Sequence, residues 1–287
     1  MPRLLALGHV TRDELAAGER PGGGVSYAAL AARRLGWCAG IVTSAAADFD
    51  PARDLPGVEA FHAASGRSTR FRNLYAAGVR TQHLLARADP VDASLAPGGW
   101  RNPDVLLLAP VAGELGPGTA PTFQAGVVGA CAQGWLRQVA PDTGAVSPAA
   151  WADPESDLAG VDVVFVSEAD FGGETWRAQE LLSQVPMVLL TRGRRGADLL
   201  TRDGTRAIPT RPVDEVDATG AGDVFATAFM IAYHETRDPV AATVFGCCAA
   251  ACAVEAPGTT GLGDRDQVER RRVQRERWLA EHERERE

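Results

Sequence analysis

The stretch Asp217-Ala218-Thr219-Gly220-Ala221-Gly222-Asp223 places a carboxylate at each end of a run of small residues, and an apolar-periodic run, residues 224–233, follows at once. Small residues let a backbone come close to a ligand. A helix opening directly after them presents free N–H groups and the positive end of its dipole to an anion. Asp223 falls in the first turn of that helix, where a carboxylate can take a proton from a hydroxyl while neighbouring amides hold developing negative charge. The combination reads as a phosphate site beside a base. The plainer alternative is a Gly-rich loop that merely enters a helix, with Asp223 favoured there by the dipole. A dinucleotide fingerprint is excluded, because G-x-G-x-x-G/A needs a small residue where Phe225 stands and no apolar strand precedes the loop.

Composition narrows the chemistry further. Every basic residue among the 29 is an arginine. Without lysine there is no P-loop signature, no protein-kinase strand lysine and no Schiff base, so a phosphate clamp must use Arg, backbone amides or a metal. A net charge of −8 argues against nucleic acid as a partner, which needs a basic face. His9, His62, His83, His234 and His282 lack metal-ligand spacing, and Cys38, Cys131, Cys247, Cys248 and Cys252 lack C-x-x-C spacing. Neither a zinc site nor a disulfide framework is expected. The N-terminus lacks a signal-peptide core and no run is long and apolar enough to span a bilayer, so the expectation is a cytoplasmic protein without a membrane partner.

The elements that must position the loop can be read from apolar patterning. With 287 residues and 45% hydrophobic content, one large α/β domain suffices. Residues 4–7 form a short apolar run closing at Gly8, a buried strand whose carboxyl end opens into a site. A helical pattern over 25–35, stopped by Gly36, and a strand at 41–43 follow. Residues 69–75 and 79–85 pattern as a polar hairpin around Ala76-Ala77-Gly78, either a flap over a ligand or a plain edge hairpin. Residues 105–108, 161–166 and 187–190 are continuous apolar runs, as expected of parallel strands buried on both faces. Residues 196–201 and 205–209 flank Asp203-Gly204, a hairpin signal that ends the sheet in antiparallel strands. Residues 224–233 and 241–254 read as buried helices, and the small residues of the second permit close packing or the approach of a flat base. Residues 264–287, dense in Arg and Glu, read as a solvated, fraying helix or tail.

With these parts in place the chain resembles the PfkB, or ribokinase-like, carbohydrate kinase family. Residues 22–36, GGGVSYAALAARRLG, are similar to its early di-glycine motif, and residues 216–225, VDATGAGDVF, to its late signature. The resemblance implies a three-layer α/β/α, doubly wound, mostly parallel sheet over residues 1–263, with a small β lid reduced to parts of 9–21 and 66–87. It implies transfer of the γ-phosphoryl of ATP to a hydroxyl of a sugar or cyclitol. Asp223 is then the base and Gly220, Ala221 and Gly222 the anion hole. Asp13, Gly23, Gly24, Tyr27 and Arg137 fall to the acceptor, and Ser167, Thr191, Arg192, Gly193, Gly196 and Gly258 to the nucleotide. Asp170 would order Mg²⁺ waters, and Asp217 and Thr219 would hold a monovalent cation such as K⁺. A monomer or homodimer is expected.

Three departures from the family pattern carry expectations of their own. Tyr27 stands where the family commonly has an Asn that contacts sugar, and Ser167-Glu168-Ala169-Asp170 replaces Asn-x-x-Glu. The segment from Gly8 to Gly22 leaves little room for lid strands. A nucleoside kinase of the same family, or a non-catalytic sugar or nucleotide sensor on the same fold, therefore stays open. Arg137 is either an attractor of phosphate or acidic substrate or a surface residue, and Glu114 either holds acceptor hydroxyls or is solvated in a loop.

Overall fold

The computed structural model describes residues 1–15, 18–76 and 79–284. Its strands run β1 (Arg3–Leu7), β2 (Thr11–Leu15), β3 (Gly18–Gly22), β4 (Cys38–Ala45), β5 (Glu59–Ala64), β6 (Thr69–Ala76), β7 (Val79–Ala86), β8 (Val105–Leu108), β9 (Val127–Cys131), β10 (Arg137–Val139), β11 (Val146–Pro148), β12 (Val163–Ser167), β13 (Met187–Thr191), β14 (Ala197–Thr201) and β15 (Gly204–Ile208). The helices are α1 (Gly24–Arg34), α2 (Pro51–Asp54), α3 (Pro154–Asp157), α4 (Arg177–Glu180), α5 (Ala221–Thr236), α6 (Pro239–Ala253) and α7 (Arg265–Arg284).

Among the described residues, nine strands form one sheet in the order β15-β14-β13-β12-β9-β8-β1-β4-β5. From β5 to β13 every pairing is parallel; β14 and β15 run antiparallel at one edge, as the Asp203-Gly204 turn predicts. Continuous apolar runs belong at the centre of such a sheet because both faces are covered. Leu4 and Ala6 of β1 face a core shared with α1, α5 and α6, while Leu5 and Leu7 face a second core with Trp100, Phe171 and Leu182. That second face is covered by single helical turns such as α3 and α4 rather than long helices. Pro154 opens α3, and the positive-φ pair Gly172-Gly173 closes the helical turn at Glu168–Phe171 ahead of α4.

Two expectations are corrected. The segment from Gly8 to Gly22 holds two lid strands, β2 and β3, paired antiparallel, and β2 joins β6 in parallel to give a four-stranded lid among the described residues, β3-β2-β6-β7. Five-residue strands need less chain than expected. The turn expected at Ala76-Ala77-Gly78 lies at residues 77–78, outside the described residues. The C-terminal segment is docked: in α7, Val268 is fully buried and Arg275 Nε donates to the Pro209 carbonyl at 2.6 Å. Arg265 with Glu235 of α5 at 2.7 Å and Arg271 with Glu255 help to hold it there, while Arg272 pairs along the helix with Glu276 one turn on.

Candidate active site

The carboxyl ends of β9, β12 and β13, the segment after β8 and the starts of α1 and α5 converge with the lid around a cavity of about 210 Å³. Such crevices beyond the carboxyl ends of parallel strands are where open α/β sheets bind ligands. Asp223, Gly220 and Gly222 line it from α5, Gly23, Gly24 and Tyr27 from the start of α1, and Asp13 from the lid. A second, mostly apolar cavity of about 150 Å³ adjoins it and shares Thr191, Ala218 and Gly222.

Gly220 caps α5 with φ +78°, a conformation that turns the chain so that the helix points its N-terminus into the cavity. Val224 N–H closes the first helical bond on the Gly220 carbonyl at 2.9 Å. The Ala221 amide is spent on the Ala218 carbonyl at 3.2 Å, whereas those of Gly220, Gly222 and Asp223 have no partner among the described residues. Of the three residues expected to present amides to an anion, Ala221 therefore has its N–H already engaged, and the open amides are those of Gly220, Gly222 and Asp223.

The Asp223 side chain lies against the Cα of Gly24: a methyl group there would sit 2.8 Å from Oδ1. Burial pushes the Asp223 pKa up to about 6, against the pull of Arg137 and with a further push from Asp170. Asp13, buried in β2, accepts the Thr11 hydroxyl at 2.9 Å. The Tyr27 ring packs on Gly220, and its hydroxyl is buried without a hydrogen-bond partner among the described residues. Burial raises the phenol pKa above its usual range, partly offset by Arg20, so it is a neutral donor at any physiological pH. Arg137 lines the cavity and donates to Gln82 Oε1 at 2.9 Å.

The remaining expected residues divide. Ser167 and Asp170 line the first cavity and cap one another: Asp170 Oδ2 accepts the Ser167 N–H at 2.8 Å and hydroxyl at 2.7 Å. Thr191, Gly193 and Gly196 line the second cavity. Arg192 does not; it is turned to Asp198 at 3.1 Å and Glu168 at 3.5 Å, and Arg194 and Arg211 stand at that cavity instead. Gly258 also lies off both cavities, its N–H donating to Asp217 at 3.0 Å. Asp217 itself is committed to Arg20 and to the Thr219 amide. Burial alone would raise its pKa, but these hydrogen bonds win and hold it well below the usual carboxylate range. Glu114 neither holds a ligand nor is solvated: it is buried and accepts the amides of His9 at 2.8 Å and Ala112 at 2.7 Å, tying the ends of β1 and β8 together.

Known proteins bear on this arrangement in two ways. The pfkB family carbohydrate kinase pattern matches residues 139–264, which contain the whole late signature. A ribokinase from Bacillus subtilis is 38% identical over 92 residues, 31% of this chain and 31% of that protein. In fold, the chain is similar to a pyrophosphate-dependent kinase of the ribokinase family, with TM-score 0.77, 22% identity and coverage of 93% of this chain and 99% of that one. Residues 139–264 thus match the pfkB family carbohydrate kinase pattern, and the whole chain shares the fold of the ribokinase-family structures. A ribokinase from Arabidopsis thaliana, solved with ribose and ATP, shares the fold at TM-score 0.68 and 17% identity, covering 94% of this chain and 98% of its own. The polar wall contributed by Gln82 and Gln133 and the second cavity's Arg194 and Arg211 escaped sequence reading, because none of them belongs to either motif. One signal was available for the second cavity: the Ala- and Cys-rich α6 supplies Cys247, Ala250 and Ala251 to its wall. Among the described residues no helix is long and apolar enough to cross a membrane.

Proposed function

We propose that the protein moves the γ-phosphoryl group of ATP onto a hydroxyl of a small sugar or cyclitol. The observation that carries this reading is the sharing of one cavity by the Asp223 carboxylate, the open amides at the start of α5 and a wall of hydroxyl-binding groups. Asp13 accepts acceptor hydroxyls, Tyr27 donates to one, and Gln82 and Arg137 close the lid side. A hydroxyl held beside Asp223 gives up its proton to that carboxylate as its oxygen meets the phosphorus. The amides of Gly220, Gly222 and Asp223 hold the charge on the transferred group. The adjoining apolar cavity, walled by Phe225, Cys247, Ala250 and Val254, suits an adenine ring laid flat.

The donor set fits Mg²⁺ in the way that ion is usually bound, by one or two carboxylates with the rest of its shell from phosphates and water. Asp170 would hold it, and its charge would neutralise the phosphate oxygens. No cluster of three or more metal-ligating side chains exists among the described residues, so phosphate must complete the shell.

Mixing the purified protein with ATP, Mg²⁺ and a panel of sugars, cyclitols and nucleosides is expected to release ADP with one acceptor of the sugar or cyclitol class. A parallel set with pyrophosphate as donor is expected to stay silent. Turnover with pyrophosphate, a donor that Arg194 and Arg211 could also clasp, would reassign the second cavity. Nucleoside turnover would reassign the first. Ligand-induced thermal shifts without any ADP would mark a sensor.

Gly24→Ala offers a sharper check on geometry. Its methyl group would push the Asp223 carboxylate aside while the helical backbone accepts alanine. Displacing a reacting group by about an ångström costs on the order of 100-fold in kcat. Steady-state kinetics should show that loss, together with a modest drop in melting temperature because the same methyl meets the Ala109 Cβ at 3.1 Å.

A further inference from the structure

Family resemblance implies a monovalent cation beside Asp217 and Thr219, and the residues present do not fit one. Asp217 Oδ2 meets Arg20 Nη1 at 2.7 Å and the Gly258 N–H at 3.0 Å, and Oδ1 accepts the Thr219 N–H at 3.0 Å. Both carboxylate oxygens already face donors. The Arg20 side chain, 21% exposed, brings a full positive charge to the same place, with Nη1 3.3 Å from where a side chain on Gly258 would begin. A metal cation would have to displace that guanidinium or bear its repulsion.

Where Arg20 comes from adds a second meaning. It lies on β3 directly opposite Asp13 on β2, so both side chains leave the same face of the lid toward the body of the protein. One cross-strand pair therefore delivers a carboxylate to the acceptor cavity and a guanidinium to the loop before α5. Arg20 Nε is buried with no partner among the described residues, so the group retains a donor on its inner side.

We infer that Arg20 is a resident cation: it takes the place of a monovalent metal ion, fixes the Asp217–Gly220 loop ahead of the open amides, and locks that loop to the lid. It is a positioning residue, since it acts on the amides through Asp217. This deepens the phosphotransfer reading and rests on it for its catalytic meaning, but its ion-binding content can be tested without turnover.

Melting curves of the unliganded protein in KCl, NaCl and tetramethylammonium chloride at equal ionic strength are the first arm. The wild type is expected to show no K⁺-specific shift. Arg20→Ala should melt lower and gain a K⁺-specific rise of several degrees, and Arg20→Lys, which keeps the charge, should show none. A K⁺-specific shift in the wild type, or none in Arg20→Ala, overturns the inference. Rubidium-soaked wild-type crystals need no variant: an anomalous peak in contact with Asp217 overturns the inference, and a blank site supports it. Once an acceptor is in hand, wild-type kcat should be flat from K⁺-free to K⁺-rich buffer, whereas Arg20→Ala should lose kcat more than acceptor KM and recover it with K⁺. Failure to find any acceptor would sink the kinase reading while leaving the first two arms decisive for Arg20.

Discussion

Asp223→Asn is expected to lower kcat by roughly 10²- to 10⁴-fold, the range that loss of a positioned general base covers, with little change in acceptor binding. Asparagine keeps the shape and the contact with Gly24 but cannot take a proton. The wild-type pH profile should carry the signature of the same group. With a pKa raised to about 6 by burial, the carboxylate is protonated and idle in mild acid, and kcat rises as pH increases through about 6 to a plateau. The residual rate of the variant should lack that limb; a variant retaining both the rate and the limb would remove Asp223 from the chemistry. Stability should move the other way. A carboxyl whose pKa is higher folded than unfolded favours the folded state at low pH, and that contribution is gone once pH exceeds the folded pKa. Ionised Asp223 therefore costs the fold stability at pH 8. Asp223→Asn should melt higher there, and the gap should close as pH falls toward 4, where the wild-type group is neutral as well. A catalytic group held at such a cost is a common trade between activity and stability.

Gly220→Ala should be strongly damaging. The backbone at φ +78° disfavours any L side chain, and the new methyl would fall inside the Tyr27 ring. Backbone strain of about 1 kcal/mol and overpacking of about 1–3 kcal/mol together predict a melting temperature lower by roughly 5–10 °C. Activity should fall further than stability, because relief requires either the ring or the first turn of α5 to move and both line the cavity. Adding Tyr27→Ala should recover part of the lost stability by removing the clash while leaving the φ strain. Equal melting temperatures for Gly220→Ala and wild type would show that the loop does not sit on that ring.

The central fold was legible because its strands announce themselves. β1, β8, β12 and β13 are unbroken apolar runs, and the Asp203-Gly204 turn gave the direction of β14 and β15. β9 was not, since Gly129 and Ala130 dilute its apolar signal, and β5 was obscured by Glu59 and His62 in a half-exposed strand at the edge of the sheet. The lid strands β2 and β3 were hidden by the residues that matter to the site: Asp13 and Arg20 make TRDEL and GERPG read as loop. That Asp223, the glycines and Tyr27 share one cavity could be read from the two motifs alone. The pairing of Arg20 with Asp217 could not, because 197 positions separate the two and only the folded chain brings them together. Arg192 was misplaced for the opposite reason, since its neighbours in sequence said nothing about Asp198 across the hairpin.

The lid is moored along both of its margins. On the β3 side Arg20 grips the loop ahead of α5, and on the β7 side Leu84 donates to the Gly144 carbonyl at 2.8 Å while His83 bridges to Ala145. A cover fastened at two borders cannot swing like a door. Under the phosphotransfer reading, acceptor and product would pass through the remaining aperture, so acceptors much larger than the cavity of about 210 Å³ are expected to react poorly.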